Sequence, residues 1–239
     1  MEIFKAENTQ KIRCCVIQKR CSFYLKTGAL NMKKLSLLLA LSFTVLCFFG
    51  CGKQEEPVDK KPVIYLYPQQ EEAVNVQIDY DGELTCTYPE YQSGWNVTAF
   101  PGGELIDERG QSYNYLYWEG RGDIEYDFTQ GFCIPGKDTA DFLERALREQ
   151  GLNSREINEF IVYWLPQMHD NPYNLISFQG ENYTDHARLN ITPAPDSVIR
   201  VFMAVKPVKE KTDILPQSFA KPDRSGFTVV EWGGSMVEK

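Results

Sequence analysis

The sequence predicts an α+β fold: an antiparallel β-sheet or sandwich with a two-helix insertion in the middle of the chain. Three observations predict it. Short strand-like stretches, β-branched, aromatic or alternating, are separated by turn residues from residue 61 to residue 118, and such stretches resume at residue 173. Between these regions, two stretches carry apolar residues at helical spacing. Strands, then helices, then strands is the order typical of α+β proteins, whereas α/β proteins alternate the two.

The first half of the domain is predicted to consist of strands joined by tight turns. Residues 62–67 are β-branched and aromatic, and residues 73–80 alternate as a strand with one solvated face does. Asp81-Gly82 is a tight-turn pair, so we expect a hairpin between residues 73–80 and 83–87. Further strands are predicted at 95–100, 104–106 and 113–118.

Two helices are predicted from their capping residues. The first begins at Asp138 or Thr139 and ends at Gly151. The second begins at Asn153, with Glu156 three residues later as in a capping box.

The second helix has the clearest apolar stripe, and Pro166 is expected to end it. A polar, proline-punctuated loop is predicted at 208–224. The remaining strands are predicted at 173–179, 187–191, 198–206 and 227–232.

Residues 32–50 have the pattern of a bacterial lipoprotein signal peptide. Two lysines precede sixteen mostly apolar residues, 35–50, and the run ends at Gly50-Cys51. We expect a fatty acid such as palmitate on Cys51, which would hold the protein at the outer face of the bacterial cytoplasmic membrane. An uncleaved signal anchor is the alternative, although sixteen apolar residues are short against the ~20 that span a bilayer.

Three further boundaries follow from this segment. Residues 1–31 show no sustained period and are interpreted as a non-translated or disordered extension, the alternative being a short cytoplasmic tail. Residues 51–60 are polar and are predicted to be a flexible spacer. Residues 61–235 are predicted to form one extracytoplasmic α+β domain.

The charge of the exported part limits its partners. Residues 1–50 hold 8 of the 25 basic and 2 of the 33 acidic residues, so the remaining 189 residues carry a formal charge of −14. Such a surface repels phosphate backbones, and we expect no nucleic-acid partner.

Cys86 and Cys133 follow Cys51 as an even pair. In an oxidising exterior a disulfide between them would close a 47-residue loop and stabilise the domain by roughly 4 kcal/mol. Two free thiols are the alternative.

Two carboxylates beside tryptophans are the candidate catalytic residues. Glu119 follows Trp118, and Glu231 precedes Trp232. Paired carboxylates can hydrolyse a glycosidic bond, one as acid and the other as nucleophile or base. The tryptophans could instead contact a carbohydrate or peptide ligand without cleavage. The third interpretation is structural: tryptophans point inward and carboxylates outward by strand alternation.

Asp123, Glu125 and Asp127 alternate and could offer oxygen ligands to a metal ion. The spacing of an EF-hand loop is absent, so a solvated acidic edge is the preferred interpretation. We expect no metal and no other cofactor.

The domain resembles a family of uncharacterised exported or lipid-anchored proteins from Gram-positive anaerobic bacteria. The resemblance rests on KPVIYLYP (61–68), LTCTYP (84–89), YLYWEG (115–120), FIVYWLPQM (160–168), NPYNLISF (171–178) and FTVVEWGGS (227–235). It implies export and a shared single-domain fold. It implies no activity and assigns no catalytic residue.

The sequence therefore favours a non-catalytic binding or accessory lipoprotein of the cell envelope. The alternative is an envelope glycan hydrolase that uses Glu119 and Glu231.

We expect Cys51→Ser to abolish incorporation of a fatty-acid probe in labelled cells, because the serine removes the only thiol that the predicted cleavage exposes. The wild-type chain should carry the label and fractionate with membranes. An unlabelled wild-type protein free in the cytosol would contradict the anchor.

Overall fold

Seven strands form the larger of two sheets in the computed structural model, which describes residues 58–237. They are β1 (Val58–Tyr67), β3 (Glu83–Tyr88), β7 (Leu116–Arg121), β8 (Phe132–Pro135), β9 (Tyr173–Gln179), β11 (Ser197–Val208) and β12 (Thr228–Met236). Their order across the sheet is β3-β7-β1-β12-β11-β9-β8. Neighbouring strands are antiparallel except β11 and β12, which are parallel.

Five strands form the smaller sheet, in which all neighbours are antiparallel. They are β2 (Glu72–Tyr80), β4 (Trp95–Ala99), β5 (Leu105–Asp107), β6 (Ser112–Tyr113) and β10 (Ala187–Thr192). Their order is β10-β2-β4-β5-β6.

The helices lie between β8 and β10 in the chain. They are a 3₁₀ turn (Gly136–Asp138), α1 (Thr139–Glu149), α2 (Ser154–Met168) and a short α3 (Glu181–Thr184). Gly151, at φ +89°, follows α1 in the left-handed conformation that glycine adopts readily. Asn153 caps α2, and the reciprocal bond from its own N–H to Glu156 completes a capping box.

The larger sheet is the middle of three layers. Val63 and Tyr65 of β1 pack in one apolar cluster with the inner faces of α1 and α2. The alternate residues Ile64 and Leu66 pack in a second cluster with the smaller sheet. Because successive side chains of a strand point to opposite faces, β1 has no face left for solvent.

Two glycines of β12 allow the neighbouring strands to approach closely at the centre of the larger sheet. One extra residue of β1 bulges out between Lys60 and Val63 relative to both neighbouring strands. The bulge accommodates Pro62, which has no N–H to donate in a central strand. A Cβ at Gly233 would lie 3.0 Å from Pro62, and one at Gly234 would lie 2.5 Å from the Met203 carbonyl oxygen.

Residues 209–227, here the crossover segment, connect the parallel strands β11 and β12. Gln217 exchanges two side-chain hydrogen bonds with the backbone of Phe178, of 2.9 and 2.8 Å. Arg224 forms a bidentate ion pair with the buried Glu156, with N–O distances of 2.8 and 3.0 Å. These contacts hold the crossover segment against β9 and against the start of α2.

The sheet-rich α+β class is confirmed. Both helices begin and end close to the predicted residues, but α2 continues past Pro166 to Met168. Pro166 has no N–H to donate to the Val162 carbonyl one turn earlier. Both residues are exposed, so water can donate to that carbonyl instead.

Three other expectations of the fold differ from the structure. Residues 73–80 and 83–87 do not form a hairpin, because β2 and β3 belong to different sheets and Asp81-Gly82 turns the chain between them. The larger sheet is mixed, since β11 and β12 are parallel. β1 begins at Val58, inside the predicted spacer 51–60. The bulge between Lys60 and Val63 allows pairing to continue on the N-terminal side of Pro62.

The predicted signal peptide (32–50), the extension (1–31) and Cys51 lie outside the described residues. Within residues 58–237, no helix is long and apolar enough to cross a membrane.

We expect Gly234→Ala to lower the free energy of unfolding by about 2 kcal/mol, because its methyl group would overlap a backbone carbonyl that cannot move freely. Urea denaturation measures this change. Gly102→Ala is the matched control, since a Cβ there has no atom within 4 Å. Equal effects of the two substitutions would contradict the close packing at Gly234.

Candidate functional site

Three partly exposed tyrosines lie together where the helix layer ends. Tyr115 comes directly before β7, Tyr117 is the second residue of β7, and Tyr163 comes from α2. All three pack against the edge of the cluster beneath the helices. We call these residues, with Lys61 and Glu119, the tyrosine surface.

Strand alternation explains why β7 presents these side chains on the helix side. Leu116 and Trp118 are fully buried in the cluster between the two sheets. Tyr117 and Glu119 alternate with them and therefore point to the opposite face of the sheet. On that face Cys86 of β3 pairs with Glu119.

The tyrosines of this surface are neutral hydrogen-bond donors at physiological pH. Burial, together with a hydrogen bond to the Glu119 carboxylate, raises the pKa of Tyr117. Burial and the charge of Glu119 also raise the pKa of Tyr163. The surface thus offers uncharged aromatic rings beside the Glu119 carboxylate, with Glu159 of α2 close to Tyr115, whose pKa is raised by burial and by this charge as well. This arrangement suits stacking and hydrogen bonding.

Buried contacts fix the orientation of the surface. The Tyr65 hydroxyl donates a hydrogen bond of 2.6 Å to Glu159 of α2. The Tyr65 ring meets the Tyr115 ring edge to face, with centroids 5.4 Å apart. The helix and the start of β7 are therefore held in place by a common residue of the central strand β1.

Glu231 is a buried ion-pair partner. It is 1% exposed, and its Oε2 accepts a bond of 2.6 Å from Arg200 on the adjacent strand β11. Its Oε1 accepts a bond of 3.2 Å from the Trp118 indole N–H. The Arg200 guanidinium also lies over the Tyr183 ring, 4.9 Å from its centroid.

The two candidate catalytic carboxylates do not share a cleft. Glu231 lies opposite Ile64 in the register of β1 and β12, on the face that packs against the smaller sheet. Glu119 lies on the other face of the same sheet. Retaining and inverting glycosidases place two carboxylates about 5–10 Å apart on either side of one bond, and this pair cannot do so.

The candidate ligand contacts Trp118 and Trp232 are both fully buried. Trp232 packs against Phe160 of α2, with ring centroids 5.3 Å apart. Neither ring can meet a ligand at the surface, so the proposed contact of these two residues with a sugar or peptide is wrong in this structure. The structural interpretation is correct in placing both tryptophans inward. Its outward carboxylates are wrong for Glu231, which is 1% exposed because both faces of the larger sheet are covered at β12.

Cys86 and Cys133 are free thiols. They belong to β3 and β8, the two opposite edges of the seven-stranded sheet. Six strand spacings of about 4.8 Å place them roughly 29 Å apart, whereas a disulfide needs Cα atoms within ~7 Å. The predicted bridge is therefore wrong.

Asp123, Glu125 and Asp127 are exposed and alternate with the buried Ile124 and Tyr126. The Asp127 carboxylate accepts bonds from the N–H and the hydroxyl of Thr129. In residues 58–237 no group of three potential metal ligands lies close enough together to hold an ion.

Of the tyrosine surface, sequence reasoning selected Glu119 alone and missed Lys61, Tyr115, Tyr117 and Tyr163. The signal was present in residues 115–118, where two tyrosines alternate with Leu116 and Trp118. The candidate ligand contact on this strand was instead Trp118, whose side chain points into the core.

A protein of Butyrivibrio fibrisolvens, described as "Uncharacterized protein in bglA 3'region", is 39% identical to this chain over 94 residues. The matched residues are 37% of this chain and 97% of that protein. This chain belongs to the same family. Nothing in the description of the Butyrivibrio relative names an activity. No family model matches the chain, and no solved structure matches it.

We expect Glu231→Gln to lower the free energy of unfolding by about 3 kcal/mol, because it leaves the Arg200 guanidinium buried without its counter-charge. Urea denaturation measures the change. Glu119→Gln, on the same sheet but partly exposed, should cost less than about 1 kcal/mol. Similar costs for the two variants would contradict the different roles that their positions imply.

Proposed function

We propose that the chain is a membrane-anchored extracytoplasmic lipoprotein that binds a carbohydrate or peptide component of the cell envelope without cleaving it. The tyrosine surface is the binding site. The anchor is the lipid on Cys51, and the protein resides at the outer face of the cytoplasmic membrane.

The observation that carries this proposal is the set of three partly exposed tyrosines beside Glu119. Protein cores usually take such rings fully inside, and rings left half-exposed in one cluster offer a stacking surface of low conformational entropy. Glu119 adds a hydrogen-bond acceptor next to the Tyr117 hydroxyl. Rings and acceptor together match the alternating apolar and polar faces of a sugar or an extended peptide.

Two further observations favour binding over hydrolysis. Glu231 is bound to Arg200 and Trp118 in the interior, so it cannot act with Glu119 as the second catalytic carboxylate. The formal charge of −14 on residues 51–239 disfavours polyanionic wall polymers and favours neutral or cationic ligands.

Binding is tested with the full chain in detergent and a soluble disaccharide–peptide fragment of bacterial cell wall. We expect Tyr163→Ala to weaken binding roughly tenfold in calorimetry, because it removes a stacking ring. Tyr173→Ala, a partly exposed tyrosine on β9 near the other edge of the larger sheet, should leave the affinity unchanged.

Separate titrations with the disaccharide and with the peptide distinguish the two ligand classes. Equal affinity of Tyr163→Ala and wild type would overturn the site. Turnover of the fragment would overturn the non-catalytic role, and co-purification with an envelope complex without fragment binding would favour an accessory role instead.

A further inference from the structure

Lys61 has a backbone conformation that side-chain-bearing residues rarely adopt. Its φ is +54°, and it is the one non-glycine residue with positive φ in the described part of the chain. It belongs to the bulge of β1, between Lys60 and Val63. The strained conformation places its side chain on the helix side, at the tyrosine surface.

The Lys61 ammonium group lies over two aromatic rings. Its Nζ is 5.0 Å from the centroid of Tyr163 and 6.0 Å from that of Tyr115. Both distances are within the range of cation–π attraction, about 6 Å. Among the side chains of residues 60–237 no carboxylate lies within ion-pair distance of Lys61, and the two rings are its partners.

The surroundings of these rings suit a cation. Glu119 lies close enough to Tyr163 and Tyr117 to act electrostatically on both. The exported part of the chain has an excess of acidic residues, which raises the local concentration of cations. Two rings and a nearby carboxylate are the components with which proteins recognise alkylammonium groups.

We propose that the tyrosine surface recognises an alkylammonium group of the ligand and that Lys61 is a resident cation that the ligand displaces. The inference rests on the proposed function and names the chemical class that this surface selects. Lys61 suits this role because its stem is long and flexible and no salt bridge retains it. The rings do not depend on Lys61, since Tyr115 packs on Tyr65 and Tyr163 is fixed by α2.

The experiment measures binding of tetramethylammonium chloride to the full chain by NMR titration at constant ionic strength. Lys61→Gly removes the ammonium group and relieves the positive φ, so it tests displacement without adding backbone strain. We expect this variant to bind the probe at least fivefold more tightly than wild type. Lys61→Arg keeps a cation over the rings and should not show the gain in affinity expected of Lys61→Gly.

Two controls separate this effect from a general loss of charge. Lys206→Met is the first control, and it removes a different ammonium group that lies over an aromatic ring. The Lys206 ammonium lies 4.1 Å from the centroid of Phe128, away from the tyrosine surface. Its removal should not change the affinity. Tert-butyl alcohol, an uncharged probe of similar shape, should not bind to Lys61→Gly. Tyr163→Ala combined with Lys61→Gly should lose the gain in affinity.

An unchanged or weaker affinity of Lys61→Gly would overturn the proposal, as would equal binding of the charged and uncharged probes. If these results occur while wall-fragment binding still depends on Tyr163, the ammonium site fails and the proposed function stands. If tetramethylammonium binds as expected but the wall fragment does not, the proposed ligand fails and the ammonium site stands.

Discussion

The structure depends on one constraint: the seven-stranded sheet is covered on both faces. The central strands β1, β11 and β12 pack against helices on one side and against a second sheet on the other. A buried charge on these strands must therefore find a counter-charge inside, since an unpaired buried charge costs several kcal/mol. Glu231 and Arg200 satisfy this requirement for each other, and Trp118 satisfies the remaining carboxylate oxygen.

The same constraint separates structural from exposed residues. The helix layer does not extend over β7, so Tyr117 and Glu119 stay partly exposed while Trp118 between them is buried. A residue's availability to a ligand is therefore decided by which face of β7 it occupies and by how far the helix layer extends across that face. The proposed binding surface is the boundary between a covered and an uncovered part of one sheet face.

Local signals in the sequence predicted the elements well and their partners poorly. The capping box at Asn153 and the glycine after α1 are local, and both helices were predicted almost to the residue. The Asp81-Gly82 pair correctly predicted a tight turn, but a turn does not state whether the next strand pairs in the same sheet. Counting cysteines likewise suggested pairing Cys86 with Cys133. Their actual positions, on opposite edges of the larger sheet, depend on the strand order, which the count does not show. The alternation around Trp118 was enough to predict that its indole points inward. That Tyr117 is partly exposed depends on where the helix layer covers the sheet, which the local sequence does not show.

The position of β12 has a consequence for how the molecule assembles. Among the strands of residues 58–237, β12 is the last along the chain, but it fills the middle of the larger sheet between β1 and β11. Before it inserts, the sheet consists of two halves, β3-β7-β1 and β11-β9-β8, each with an open hydrogen-bonding edge at the future centre. Contacts between β1 and β12 span most of the domain, so their formation is entropically late. A partly synthesised chain is therefore vulnerable to self-association through these open edges until β12 is available.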